Sequence, residues 1–256
     1  MRRILFLAHR GGTGRTLCAA NCAFALAKRG KRVIVLDLDL EAGGLASVFG
    51  LSEPSPEEKP RGVAALFTQR TLLPEDEIVP LPGINANLSV LPVFVNPQAF
   101  DANRLMNNSP ELFSARLLDL WRAIEELEGY DYLLVDVPSG LNDIRGTLLP
   151  VCDRVVFITR PNRQGAIGTK FQVQDIDKYG KPRYIAISSV YGVGSPNTEI
   201  RLNEFLRLAG IGANELLVVL PFDEDLSFFE EVVTLTREES PLARAYLQLV
   251  DFLLED

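Results

Sequence analysis

Residues 9–24 read HRGGTGRTLCAANCAF. Gly11, Gly12 and Gly14 surround Thr13, and a cation, Arg15, and a hydroxyl, Thr16, follow directly. Glycine lets backbone N–H groups approach an anion closely, because no Cβ stands in the way. A helix that begins near Gly14 aims its free N–H groups and its dipole at the same place. That is the chemistry of a polyphosphate seat. Phosphoryl transfer also needs magnesium, a residue that orients water, and positive charge on the transferred group. Thr16 stands where a hydroxyl ligates magnesium. Three acids complete the set: Asp37 and Asp39, two residues apart, and Asp136, which opens Asp136-Val-Pro-Ser-Gly140. Asp136 suits the outer shell of the metal and Asp37 is counted beside it. Asp39 is placed to reach the γ-phosphate and orient a water. Each feature also has a plainer reading. The glycines can form a turn without ligand, Asp37 and Asp39 can be turn residues, and Asp136 can cap the next segment.

The loop departs from the common phosphate-loop pattern G-x-x-x-x-G-K-[ST] at two places. His9 stands where the first glycine is expected and Arg15 where the lysine is expected.

These residues need elements to hold them. Ile4 to Ala8 is an apolar run that predicts a buried strand, and Leu17 to Arg29 an Ala-rich helix. Val33 to Leu36 is a second continuous apolar run, ending at Asp37. Such runs, buried on both faces, belong to parallel sheets covered by helices. Further strands are expected at Leu88 to Pro92, Tyr132 to Val135, Val155 to Ile158, Tyr184 to Ile187 and Leu216 to Leu220. Helices are expected at Gly62 to Gln69, from Ser109-Pro110-Glu111 to Gly129, at Asn162 to Tyr179, Asn197 to Leu208 and Pro241 to Leu254. Phe113, Leu117, Leu120, Trp121, Ile124 and Leu127 recur at helical spacing, so Trp121 reads as a core anchor. Residues 52–61 and 80–87 read as loops, and 94–110 carries no clear periodicity. Strands alternating with helices predict an α/β fold, a doubly wound and mostly parallel sheet in one domain over residues 1–256. In such sheets ligands sit beyond the carboxyl ends of the strands, where the glycine loop and all three acids fall.

Composition narrows the function. The net charge is −8 over 256 residues, which argues against a broad nucleic-acid surface. The one dense basic cluster, Lys28 to Arg32, reads as a helix end followed by a glycine. No apolar run approaches the roughly 18 residues of a membrane span. Three cysteines and one histidine make neither a disulfide framework nor a zinc site, and point to a reducing, cytoplasmic compartment.

The loop, its continuation TLCAANCAFALAKRGKRVIVLDLDLEAGGL and the later YDYLLVDVPSGL resemble the ParA/MinD group of deviant Walker A ATPases. That group carries K-G-G-x-G-K-[ST], then D-x-D about two dozen residues on, then a strand ending D-x-P-x-G. Arg15 and Asp39 are 24 residues apart here. The resemblance covers nearly the whole chain and is weakest over 52–110. It implies ATP and magnesium as ligands and a homodimer formed around nucleotide. It implies contacts to nucleotide from Gly11, Gly12, Thr13, Gly14, Arg15, Thr16 and Leu17. It also implies a base contact at Ser188, where the group often has Asn, and another at Pro221 in LPFDEDL. Arg10 takes the place of the signature lysine that reaches the partner's phosphates, and with Arg15 and Asp39 completes the catalytic set. Arginine keeps the charge and binds phosphate bidentately, but it is longer and planar. With both lysines replaced, two outcomes stay open: a slow ATPase switch, or a pseudo-ATPase that serves as an interaction module. A kinase-like transferase is a third. The last segment, Leu247 to Asp256, is acidic where membrane-binding members are basic, so it reads as a core helix.

Overall fold

The computed structural model describes residues 1–52, 61–68, 74–94, 104, 108–139, 142–212, 217–227 and 231–255. Most of the expected loop at 52–61 and of the aperiodic stretch at 94–110 lies outside them, as do Gly140 and Leu216.

The chain runs β1 (Arg2–Ala8), α1 (Arg15–Lys28), β2 (Val33–Asp37), α2 (Gly44–Val48), α3 (Gly62–Thr68), α4 (Pro74–Glu77), β3 (Val79–Pro80) and β4 (Leu88–Leu91). It continues with α5 (Pro110–Glu125), β5 (Tyr132–Asp136), α6 (Asn142–Leu148), β6 (Arg154–Thr159), α7 (Arg163–Asp177), β7 (Arg183–Val190), α8 (Pro196–Ala209) and β8 (Leu217–Pro221). A 3₁₀ turn (Asp225–Ser227), α9 (Val233–Thr236) and α10 (Pro241–Leu254) follow. The strands form an eight-stranded sheet in the order β3-β4-β2-β5-β1-β6-β7-β8. All neighbours are parallel except β3 and β4. This is the doubly wound sheet that the alternation of apolar runs and amphipathic helices predicts.

The sheet grows in opposite directions from β1, so the β1–α1 loop sits at the point where the winding reverses. Open α/β sheets leave a crevice there for a ligand. Side chains alternate along β1. Ile4 and Phe6 join α1, α2, α9 and α10 on one face. Leu5 and Leu7 join α3, α5 and α6 on the other. The second face holds Trp121 with Phe113, Leu117, Leu120 and Ile124 of α5, all buried. The small residues of α1, including Cys18, Cys22 and five alanines, are buried, which lets the helix lie close over the central strands.

Two arginines from strand starts hold the carbonyl end of α10. Arg2 Nη1 donates to the carbonyls of Leu253 and Glu255, each at 2.9 Å. Arg154 Nη1 donates to Phe252 O at 2.9 Å and to the Tyr184 hydroxyl at 3.1 Å. The last carbonyls of a helix have no partner within it, and a cation there also suits the helix dipole. Among the described residues no helix is long and apolar enough to cross a membrane.

Candidate nucleotide site

The loop from His9 to Gly14 is shaped by two glycines with positive φ, Gly12 at 69° and Gly14 at 85°. No atom would crowd a Cβ at either position, so backbone conformation is what selects glycine. Gly14 precedes the first residue of α1, which starts at Arg15, two residues earlier than its apolar pattern implies. Thr13 is buried, and its Oγ1 has no hydrogen-bond partner among the described residues. A hydroxyl left in this condition fits a loop that awaits polar ligand atoms. His9 rests against Gly168 of α7, where any Cβ would collide with its ring. Arg10 lies half-exposed on the lip, donating from Nη1 to Gln164 Oε1 at 2.6 Å.

The acids meet beneath the loop because β2 and β5 are neighbours and Asp37 pairs in register with Asp136. Both carboxylates are fully buried. The Arg15 guanidinium, 7% exposed, is hydrogen-bonded through Nε to Asp136 Oδ1, and through Nη2 to Asp39 Oδ2 at 3.1 Å. Thr16 Oγ1 donates to Asp136 Oδ2 at 2.6 Å. Burial opposes the charge on Arg15, but Asp136 and Asp39 outweigh it, so the guanidinium stays protonated with its pKa raised. Burial pushes the Asp136 carboxyl up, and Arg15 and Thr16 work against that rise.

Asp37 stands apart from the metal-side group expected for it. Its Oδ1 accepts the Asp39 N–H at 2.9 Å and its Oδ2 the Leu45 N–H at 3.0 Å. Both oxygens thus order the turn into α2, and Asp37 does not line the cavity at the loop. Burial, then the neighbouring Asp136, pushes its pKa well up. The turn reading, left open from the sequence, describes it better.

Two cavities share Gly12, Thr13, Gly14 and Leu17. One, of about 390 Å³, is bounded by Arg10, Gly11, Arg15, Thr16 and Asp39, with Gly44 and Ser47 opposite. A Cβ at Gly44 would stand 2.9 Å from Thr16 Cγ2, so only glycine lets α2 approach the loop this closely. The other, of about 280 Å³, lies past the loop against Ser188, Leu220, Pro221 and Tyr246. Ser188 lines it, but its Oγ lies 2.6 Å from Thr13 O and 3.2 Å from Thr159 O, so its one proton goes to the backbone. Ser189 beside it has φ 57°, at a register shift between β7 and β8. Of the non-local walls of this cavity, Arg160, Leu242 and Tyr246 carry no motif and escape sequence reasoning, while Asp223 falls inside LPFDEDL. Asp223 stands two residues after Pro221 and was the nearest to being legible.

A glycine loop between a central parallel strand and its helix, with buried acids on adjacent strand ends, defines a P-loop nucleotide-binding protein. The chain belongs to the AAA domain family, whose model matches residues 1–183, and it is a ParA/MinD-like P-loop ATPase by kinship. An uncharacterized ATP-binding protein of Methanocaldococcus jannaschii is 24% identical over 257 residues, covering 95% of this chain and 84% of that one. The chromosome-partitioning ATPase Soj of Thermus thermophilus is 29% identical over 213 residues, covering 82% and 68%. The fold is also that of the MinD cell division protein of Aquifex aeolicus, with TM-score 0.75, 17% identity and coverage of 100% and 98%. The septum site-determining protein MinD of Pyrococcus horikoshii, solved with Mg-ADP, superposes with TM-score 0.74 at 20% identity over 99% and 96%.

Proposed function

We propose that this protein is an ATP-binding switch over one domain, 1–256, that dimerises around nucleotide and hydrolyses it slowly. The observation that carries the reading is the convergence on one loop of an orphaned Thr13 hydroxyl, the Arg15 cation, Thr16 and Asp136, beside two joined cavities. The loop amides and Arg15 hold the phosphates, and the cavity against Pro221 takes the base. Kinship to proteins named for ATP binding and for partitioning supports nucleotide as ligand and positioning of a cargo as output.

Magnesium fits the donors present, since Thr16 and Asp136 offer hard oxygens. Thr16 would hold the ion directly and Asp136 through its outer shell. Bound there, it would neutralise charge on the phosphate oxygens. Asp39 is the residue that orients water. It is already tied to its own turn, accepting the Ala42 N–H at 3.2 Å. Arg10, on the lip and hydrogen-bonded to Gln164, is the residue that reaches across to a partner's phosphates. Nucleic acid is not a partner in this reading, because the net charge is −8 and the one dense basic cluster is a helix end, and a membrane is not, because the last segment is acidic.

A second reading follows from one contact. The Arg15 guanidinium engages both Asp136 and Asp39, the acids assigned to metal and water. A site held this way binds nucleotide without turnover, as a pseudo-ATPase would. Thermal-shift titration with ATP, ADP and GTP plus magnesium separates the cases, since a ligand of the folded state raises its stability. Stabilisation with steady phosphate release supports the switch. Stabilisation without release supports a pseudo-ATPase that still binds nucleotide, and no shift at millimolar nucleotide defeats the switch and favours the pseudo-ATPase as an interaction module.

A further inference from the structure

The rim of the second cavity is formed by Pro221, Phe222, Asp223 and Leu226. Backbone pairing to β7 carries this segment only as far as Phe222, whose N–H donates to Val190 O at 2.9 Å, and side chains fix the path beyond it. On one side the Phe222 ring stacks on Tyr191, centroids 4.1 Å apart and planes 24° apart. On the other side is Arg237, which does not line the cavity. Its Nη1 lies 3.0 Å from Asp223 Oδ2 and 3.0 Å from Asp225 Oδ2, and its Nε lies 2.7 Å from Glu231 Oε1. One guanidinium thus hydrogen-bonds two carboxylates, Asp223 and Asp225, and lies against a third, Glu231, from a second segment. Without it those acids repel one another, and Asp223 is the one that belongs to the cavity wall. A planar fork can satisfy several carboxylates at fixed angles, which an ammonium cannot do equally well.

We infer that Arg237 is a positioning residue for the base end of the nucleotide: it sets the rim through Asp223 and touches no ligand itself. This rests on the reading of the joined cavities as a nucleotide site. The consequence is specific to the base. The loop amides that seat phosphate lie elsewhere, so a probe with phosphates and no base should ignore Arg237.

The test is calorimetric titration of wild type, Arg237→Ala and Arg237→Lys with ATP and with inorganic tripolyphosphate, both with magnesium. Arg237→Ala should weaken ATP about tenfold and leave tripolyphosphate within twofold. Arg237→Lys keeps the charge and should recover part of the loss. It also serves as the discriminating variant should the alanine form fail to fold, with ATP weakened severalfold and tripolyphosphate unchanged. Equal weakening of both ligands, or no change in either, overturns the inference while the nucleotide reading stands. Failure of the wild type to bind either ligand overturns that reading and the inference with it.

Discussion

Arg15 and Asp136 form a buried ion pair directly under the phosphate loop, and Arg15 extends the contact to Asp39. The pair has a structural consequence apart from catalysis. Removing one partner of a buried pair leaves the other charge unmatched, which costs roughly 3–5 kcal/mol. Arg15→Ala should therefore lower the unfolding free energy, read from denaturant titration without nucleotide, by an amount of that order. A loss within about 0.5 kcal/mol would mean that Asp136 finds another partner or takes a proton.

Lysine at the two arginine positions should act on rate. An ammonium at residue 15 cannot fork between Asp136 and Asp39 as the guanidinium does, so it frees Asp39 for water and presents a compact charge to the phosphates. Arg10→Lys together with Arg15→Lys should raise phosphate release above wild type at saturating ATP. If affinity is intact and the rate stays flat, the pseudo-ATPase reading becomes the better one.

Asp39→Ala should trap an ATP-bound dimer if Asp39 orients water. Single-turnover hydrolysis beside mass in solution decides it. A variant that turns over as fast as an active wild type removes Asp39 from the mechanism.

Gly14→Val should abolish nucleotide binding. It should also destabilise the free protein by about 1–2 kcal/mol, since φ at residue 14 is 85° and β-branched residues resist that region. Retained affinity would take the loop out of the site.

The far end of the sheet predicts an acid response. Burial opposes ionisation of Asp153, but hydrogen bonds from the Arg3 side chain and backbone outweigh it and hold its pKa below the usual value. A depressed carboxyl adds stability above its unfolded pKa of about 3.9 and loses it as pH falls through the folded value. The side chain is 36% exposed, so screening limits the effect to at most about 1 kcal/mol. Asp153→Asn should flatten the stability–pH curve below about pH 4 and leave it parallel to wild type at neutral pH. An unchanged acid limb would mean that the pair contributes nothing.

What the sequence disclosed and what it hid divide along physical lines. The long strands were legible because runs such as Val33 to Leu36 are buried on both faces and leave a continuous apolar trace. Helix α5 was legible through periodicity and through its Ser-Pro start, which the structure places at the cap. The short α2, α4, α6 and α9 span fewer than two turns each and the two-residue β3 no alternation, too little for a repeat to show. In the site, the loop and Asp136 could be located because they sit at strand ends. The difference between Asp37 and Asp39 could not, since it depends on which backbone N–H groups turn toward each carboxylate. The cavity wall from Tyr246 joins segments far apart in the chain, and the Arg237 contacts, though near in sequence, follow no helix or strand spacing.

The arginine clasp on α10 links the nucleotide site to its own scaffold. The start of β1 grips the last carbonyls of α10 through Arg2, and the other end of β1 carries the phosphate loop. Near its beginning, α10 supplies Leu242 and Tyr246 to the second cavity. Strand and helix thus work as the two arms of a caliper, joined at one end and opposed across the ligand space at the other. The gap between the glycine loop and the wall from α10 is gauged from the far end of the sheet, by the starts of β1 and of β6, whose Arg154 grips the same helix end.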